Sequence, residues 1–405
     1  MVAVRRLFIF SAILVSILAN LADAQDHSSL DLHSIPISDW LNEGDHTDIP
    51  WAVNVNNAYL RVDQRLEVSY TARIPGKDLN RSGLAHELFL INRISTPDGE
   101  WLLEPSIVRH TLEGQLPKNV QAEFLMHAVV QPGDYLLWVV LYDRMTGKHN
   151  LAKRRIHVSE LHRDPLPELY AGTPLVEFPE VRDSDSDEKG IFLVNSPLNL
   201  PVRNKRPLQV ELISMLSPPE QWTGRPRVLR THNDDTLGAL AALSQMGIAD
   251  GSMSITGLDL ARRQVMFEQR DFRGVEWDSL MQAMKKAQGL NISAEALQGA
   301  KNNGAFFREV LNQRLSADSP ADAMRVIIVV TSGQLFESGS DLRPIQVEGD
   351  CNCRVFYLRF RLNLNDVFDQ LEKFMKPLRP RIFNLLTARD LRNAIAEIVG
   401  EMEKL

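Results

Sequence analysis

Cysteine is scarce in this chain. Among 405 residues there are 2, placed together as Cys351-Asn352-Cys353. They cannot staple a long loop, so the fold must stand on its hydrophobic cores. Cys351 and Cys353 form a candidate disulfide, with free thiols and an intermolecular bridge equally compatible with the spacing. Two neighbouring cysteines supply too few ligands for a structural metal. Positive charge is not in excess either: 45 Lys and Arg face 52 Asp and Glu, a net charge of -7. That gives no general basic field for nucleic acid, and none is expected as a partner. The local cluster Lys153-Arg154-Arg155 reads as a solvated strand end. Beyond the N-terminus no stretch is long and apolar enough for a membrane span.

Catalytic motifs are missing as well. There is no G-x-S-x-G elbow to seat a hydrolase nucleophile and no phosphate-cradling G-x-x-x-x-G-K-[ST] loop. His86-Glu87 opens a zinc-protease pattern, but Leu90 stands where the second histidine is needed, and the pair is read as facing solvent beside a strand. His232 is read as a cap region ahead of a helix that starts at Asp234-Asp235-Thr236. No catalytic residue, cofactor or bound metal is expected, and the chain is not expected to be an enzyme.

What is present begins with Arg5 and Arg6, an apolar run over residues 7–19, and the small-x-small triplet Ala22-Asp23-Ala24. This is a signal-peptide pattern over residues 1–24, with cleavage between Ala24 and Gln25. The apolar run is shorter than the ~20 residues a bilayer crossing requires. The expectation is an exported protein, periplasmic or extracellular, with no membrane span in the mature chain. The oligomeric state is not legible.

After an N-terminal segment, 25–49, short alternating runs punctuated by Pro75-Gly76, Pro97-Asp98-Gly99 and Pro132-Gly133 fill residues 50–158. They predict an immunoglobulin-like β-sandwich. Residues 159–206 read as a linker, rich in proline and carrying the acidic run Asp183-Ser184-Asp185-Ser186-Asp187-Glu188. A calcium loop starting at Asp183 would need Gly and Glu where Glu188 and Val194 stand, so a solvated tether is expected. From 207 to 405 strand and helix patterns alternate. Val326-Ile327-Ile328-Val329-Val330 is the continuous apolar run of a strand covered on both faces. Helices are predicted from Thr236, around Trp277, Leu280, Met281 and Met284, from Phe306, and from Thr387, where Asp390 completes a capping box. The prediction is an α/β doubly wound domain.

The landmarks Pro207-Leu208-Gln209-Val210, Leu258-Asp259, Phe306-Phe307, Val326 to Gly333 and Cys351 to Phe360 resemble those of exported bacterial, acidobacterial-type von Willebrand factor A-related proteins. The resemblance covers roughly 206–405, and more weakly 50–158. It implies a von Willebrand factor A-like fold with a metal-ion-dependent adhesion site built on D-x-S-x-S, a loop threonine and a later aspartate. Here Ser214-Met215-Leu216-Ser217-Pro218 holds no aspartate, Ala305 stands in the threonine's place, and Ser332 replaces the later acid. A hard cation needs those oxygens. Ser214, Leu216, Ser217, Ala305 and Ser332 therefore mark a degenerate site, and the expected role is metal-independent protein binding or assembly. The alternatives are a metal-dependent adhesin with unusual ligands and a secreted hydrolase of unrecognised type.

Overall fold

The computed structural model describes residues 35–80, 85–117, 119–182, 191–194, 196–217, 226–288, 299–316, 322–334, 336, 339–346, 352–361 and 369–405. The signal segment with Ala24 and Gln25, the acidic run from Asp183, and Cys351 lie outside the described residues. Cys353 is disulfide-bonded.

The N-terminal half is two antiparallel sheets around one core. Its elements are α1 (Ile37–Glu43), β1 (His46–Thr47), β2 (Ala52–Val55), β3 (Tyr59–Leu60), β4 (Leu66–Pro75), α2 (Gly76–Leu79), β5 (His86–Ser95), β6 (Ser106–Leu112), β7 (Gln121–Val130), β8 (Gly133–Asp143), β9 (Lys148–Val158) and β10 (Val176–Glu177). One sheet runs β1-β9-β8-β5-β6, the other β10-β7-β4-β2, with β3 also on β4. Strand alternation divides β8 between two cores. Tyr135, Leu137, Val139 and Leu141 face the inter-sheet core, whereas Trp138, Val140 and Tyr142 face outward onto Trp40 and Leu41 of α1.

The stretch read as a linker contributes to both halves. Its β10 pairs with β7, and Leu169, Leu198, Leu200 and Val202 are buried in the C-terminal core. Within it, β11 (Glu180–Arg182) pairs with β12 (Ile191–Leu193) across the acidic run, and β13 (Leu200–Val202) follows.

The C-terminal half contains β14 (Leu208–Met215), α3 (Pro226–Leu243), β15 (Met246–Ile248), β16 (Gly251–Asp259), β17 (Gln264–Gln269), α4 (Trp277–Gln288), α5 (Asn303–Ser316), β18 (Met324–Ser332), β19 (Cys353–Phe360), α6 (Leu371–Met375), β20 (Arg381–Leu385) and α7 (Ala388–Met402). The six-stranded sheet has the order β17-β16-β14-β18-β19-β20, with β17 antiparallel on the edge. Alternate residues of β18 go to opposite faces. Val326, Ile328 and Val330 pack with Leu237, Leu240, Leu391 and Ile395, and Ile327 and Val329 with Phe307, Leu371 and Phe374. At α7 the Thr387 hydroxyl accepts the Asp390 N–H while the Asp390 carboxylate accepts the Thr387 N–H, a complete capping box.

The expected fold class is corrected here. The chain as a whole is mostly sheet, 40% strand against 24% helix, with several antiparallel sheets and few helices, rather than ending in a doubly wound von Willebrand factor A-like domain. The regular strand–helix alternation breaks down physically. β16 turns straight back into β17, no helix stands between β18 and β19 among the described residues, and α6 has only 5 residues. No helix of the described residues is long and apolar enough to cross a membrane.

The two halves meet around a buried arginine. Arg392 of α7 is fully buried, and its Nε donates to Asp164 at 2.6 Å, with a further bond to Leu166 O at 3.1 Å. Its guanidinium lies 5.2 Å from the Tyr170 ring centroid. The Tyr170 hydroxyl donates to Gln64 O at 2.8 Å, and Gln64 Nε2 donates to Ala388 O at 3.1 Å. α3 approaches the same loop so closely that a Cβ on Gly238 would come within 2.7 Å of Val62 Cβ. Glycine is required there by contact rather than by backbone conformation.

Candidate functional site

The carboxyl ends of β14, β16 and β18 lie side by side, where open sheets with parallel strands place their ligands. Ser214, Leu216, Ser217 and Ser332 all come to this edge, and all are buried. Ser214 Oγ has no hydrogen-bond partner among the described residues. Ser217 Oγ accepts the Leu260 N–H at 3.1 Å. Leu216 donates its N–H to Leu258 O at 2.7 Å, and its side chain fills the space that a Cβ on Gly257 would need. Ala305 sits in the first turn of α5, not in a loop, and lines a shallow surface groove with Arg308, Asn312 and Ser316.

His232 joins the serines. The expectation of a cap region is corrected, because α3 begins eight residues before Asp234 and His232 lies inside it, wholly buried. Its Nε2 is 3.2 Å from Met215 O and its Nδ1 is 3.0 Å from Ser332 Oγ. A carbonyl only accepts, so Nε2 carries the proton and Nδ1 accepts the Ser332 hydroxyl. Burial lowers the imidazole to about 4, against backbone contacts with Met215 and Ser217 that act the other way. The ring is therefore neutral near pH 7. Two buried atoms beside it, Asn233 Oδ1 and Thr236 Oγ1, also lack partners among the described residues. One turn on, burial and then the neighbouring Asp234 push the Asp235 carboxyl up to about 7.

Two buried carboxylates near this edge are committed. Asp259, at the end of β16, receives Arg262 at 2.6 Å and the Arg262 N–H at 3.2 Å. Asp369 receives Arg359 at 3.1 Å together with the N–H groups of Gln334 and Leu371. Each negative charge already has a guanidinium and backbone donors, which reduces what it can offer an ion.

The solvent-facing placement of His86 is corrected too. It opens β5 on the inward side, with Nδ1 2.7 Å from Asp143 Oδ2 and Nε2 2.6 Å from Leu79 O, in a buried pair. Both ring nitrogens are used in holding β5 to β8 and α2.

One group of potential ligands was not anticipated from the sequence. His46, Asp48 and His149 bring their ligand atoms within 4.8 Å of one another at the β1–β9 edge. His46-Thr47-Asp48 has the two-residue spacing that puts both side chains on one face of an extended strand. Nothing in the sequence links them to His149, 101 positions beyond Asp48.

No family model matches the chain, and no curated protein matches it. Among solved structures, the putative ApaA protein of Bordetella pertussis aligns at 14% identity over 28% of this chain and 96% of its own, with a TM-score of 0.17. A β-glucosidase from Listeria innocua, in complex with glucose, aligns at 10% identity over 28% of this chain and only 17% of its own, with a TM-score of 0.18. A family 123 glycoside hydrolase from Clostridium perfringens aligns at 9% identity over 83% of this chain and 72% of its own, with a TM-score of 0.24. Likeness at this level carries no argument about fold or function.

Proposed function

We propose that this chain is an exported, non-enzymatic protein-binding or assembly protein whose association does not depend on a metal at the sheet's carboxyl edge. One observation carries the reading. The groups at that edge are closed off, with His232 neutral and sealed between Met215 O and Ser332 and Asp259 and Asp369 each held by an arginine. A calcium or magnesium ion takes six or more oxygens, several of them charged. Ser214, Ser217 and Ser332 offer hydroxyls alone. Export rests on the N-terminal Arg5-Arg6, apolar run and Ala22-Asp23-Ala24 triplet.

A hydrolase reading draws on one contact, the 3.0 Å approach of Ser332 Oγ to His232 Nδ1. A nucleophile and base at that distance can cooperate, but the reacting atom must reach substrate, and Ser332 is buried. The test is an activity screen of the full chain on ester, peptide and glycoside substrates, with Ser332→Ala and His232→Gln beside the wild type. No turnover above background is expected from any of the three. Turnover by the wild type that either substitution abolishes would overturn the proposal.

A further inference from the structure

The triad at the sandwich edge leads beyond that reading. We propose that His46, Asp48 and His149 form a binding site for one divalent first-row transition ion, for which Zn2+ is the natural probe.

The ligand atoms stand close enough to converge on such an ion once one ring reorients. Asp48 Oδ1 is 3.0 Å from His46 Nε2, and Asp48 Oδ2 is 3.7 Å from His149 Nδ1. Ligands about 2.0–2.2 Å from a tetrahedral zinc stand roughly 3.3–3.5 Å apart, between the two observed distances. Two imidazoles and one carboxylate are the donor set of zinc, nickel or copper(II) rather than of calcium or magnesium. Three protein ligands leave a fourth position, and the partial exposure of His46 and Asp48 opens it to solvent.

Two of the three ligands are held in place before any ion arrives. Asp48 Oδ2 accepts the His149 N–H at 3.0 Å, and the Asp48 N–H donates to Asn150 Oδ1 at 2.8 Å. Trp40 stacks on His149 with ring centroids 4.0 Å apart and planes 8° from parallel. His46 stacks on the other side of His149 at 4.3 Å and 16°. An imidazole binds metal in its own plane, so two nearly parallel rings cannot share an ion as they lie. The outer ring must therefore turn out of the stack. His46 is the one able to do so, on a strand of 2 residues at the sheet edge.

Other histidine–carboxylate contacts in the molecule do not offer the same set. His86 has both ring nitrogens engaged, His127 meets a Glu67 already taken by Tyr59 and Arg61, and His157 meets Asp134 as a pair without a third ligand among the described residues. The consequence of binding is local: an ion would tie the segment carrying α1 and β1 to β9.

The experiment uses the full chain, stripped with EDTA and free of any polyhistidine tag. Zn2+ titration by calorimetry should give one saturable equivalent. Asp48→Asn and the double variant His46→Gln/His149→Gln should each weaken it at least ten-fold, the scale seen when metal-site partners are removed. Asp48→Asn preserves the acceptor for the His149 N–H, so it guards against loss of fold, and circular dichroism should match wild type. Ni2+ should quench tryptophan fluorescence in the wild type, and Trp40→Phe should remove most of that quench, since Trp40 stacks directly on His149. Absence of saturable binding, or one equivalent bound with undiminished affinity by both ligand variants, would overturn the site.

Discussion

The polar interior of this molecule is of two kinds. In the sandwich and at the junction it is charged and paired: Glu67 takes His127 at 2.6 Å and Arg61 at 2.7 Å, and Arg392 takes Asp164. At the carboxyl edge of the C-terminal sheet the strand ends of β14 and β18 carry neutral groups, serine hydroxyls and an uncharged imidazole, some of whose neighbours lack partners among the described residues. Asp259 and Asp369 beside them are each taken by an arginine close in sequence. In the sandwich and at the junction the buried charge joins elements distant in sequence. Neutral groups occupy the place where a ligand would be sought. The difference separates architecture from chemistry, and single substitutions can probe it from either side.

The largest effect is expected at the junction. Arg392→Ala removes the guanidinium that pairs with Asp164, and breaking a buried pair costs about 3–5 kcal/mol. Urea denaturation at pH 7 should show it, and a change below ~1 kcal/mol would remove Arg392 as the pin between the halves.

Glu67 comes next. Burial works against its ionised form, but bonds from His127 and Tyr59 and the charge of Arg61 outweigh it and lower the carboxyl to about 2. A carboxyl depressed in the folded state adds stability above its unfolded value near 4.5, and that stability is lost as pH falls toward 2. The contribution at neutral pH is about 3 kcal/mol. Glu67→Gln should lose most of it at pH 7 and little at pH 2, read as converging urea midpoints.

His232 gives the neutral counterpart. Its imidazole, held at about 4 when folded, should leave stability intact above pH 6.5. As pH falls from 6.5 to 4 the unfolded chain takes up a proton that the folded chain refuses, and up to about 3 kcal/mol is lost. His232→Asn should flatten that slope, and an unchanged slope would contradict burial of the neutral ring. The smallest effect belongs to Ser214. Removing an unsatisfied buried hydroxyl costs nothing in hydrogen bonds, so Ser214→Ala should stay within ~1 kcal/mol of wild type or gain stability.

Elements with strong local signals were legible. Val326-Ile327-Ile328-Val329-Val330 lies inside β18, and the Thr387 and Asp390 capping box opens α7 with the bonds expected of it. Those signals depend on neighbours in sequence. The start of α3 was missed because Pro226 is followed by arginines, Thr231 and His232 rather than by an apolar stripe. The helix is held there by tertiary contacts such as His232 with Met215 O. The fold class failed for a related reason, since strand and helix patterns do not report where a crossover lacks a helix. Of the candidate site, a family resemblance grouped Ser214, Leu216, Ser217, Ala305 and Ser332; the first three and Ser332 are buried at the sheet edge, and Ala305 lies in the first turn of α5. The His46, Asp48 and His149 group depends on strand pairing across the sheet edge, which no local pattern announces.

The central claim is that the sheet edge holds no hard cation. The direct test is the melting temperature of the full chain in EDTA and then in low millimolar Ca2+ or Mg2+, ions to which the histidine triad is ill suited. The account predicts superimposable curves. A rise of several degrees, as tight binding to the native state would produce, that disappears in Ser214→Ala/Ser332→Ala would contradict it.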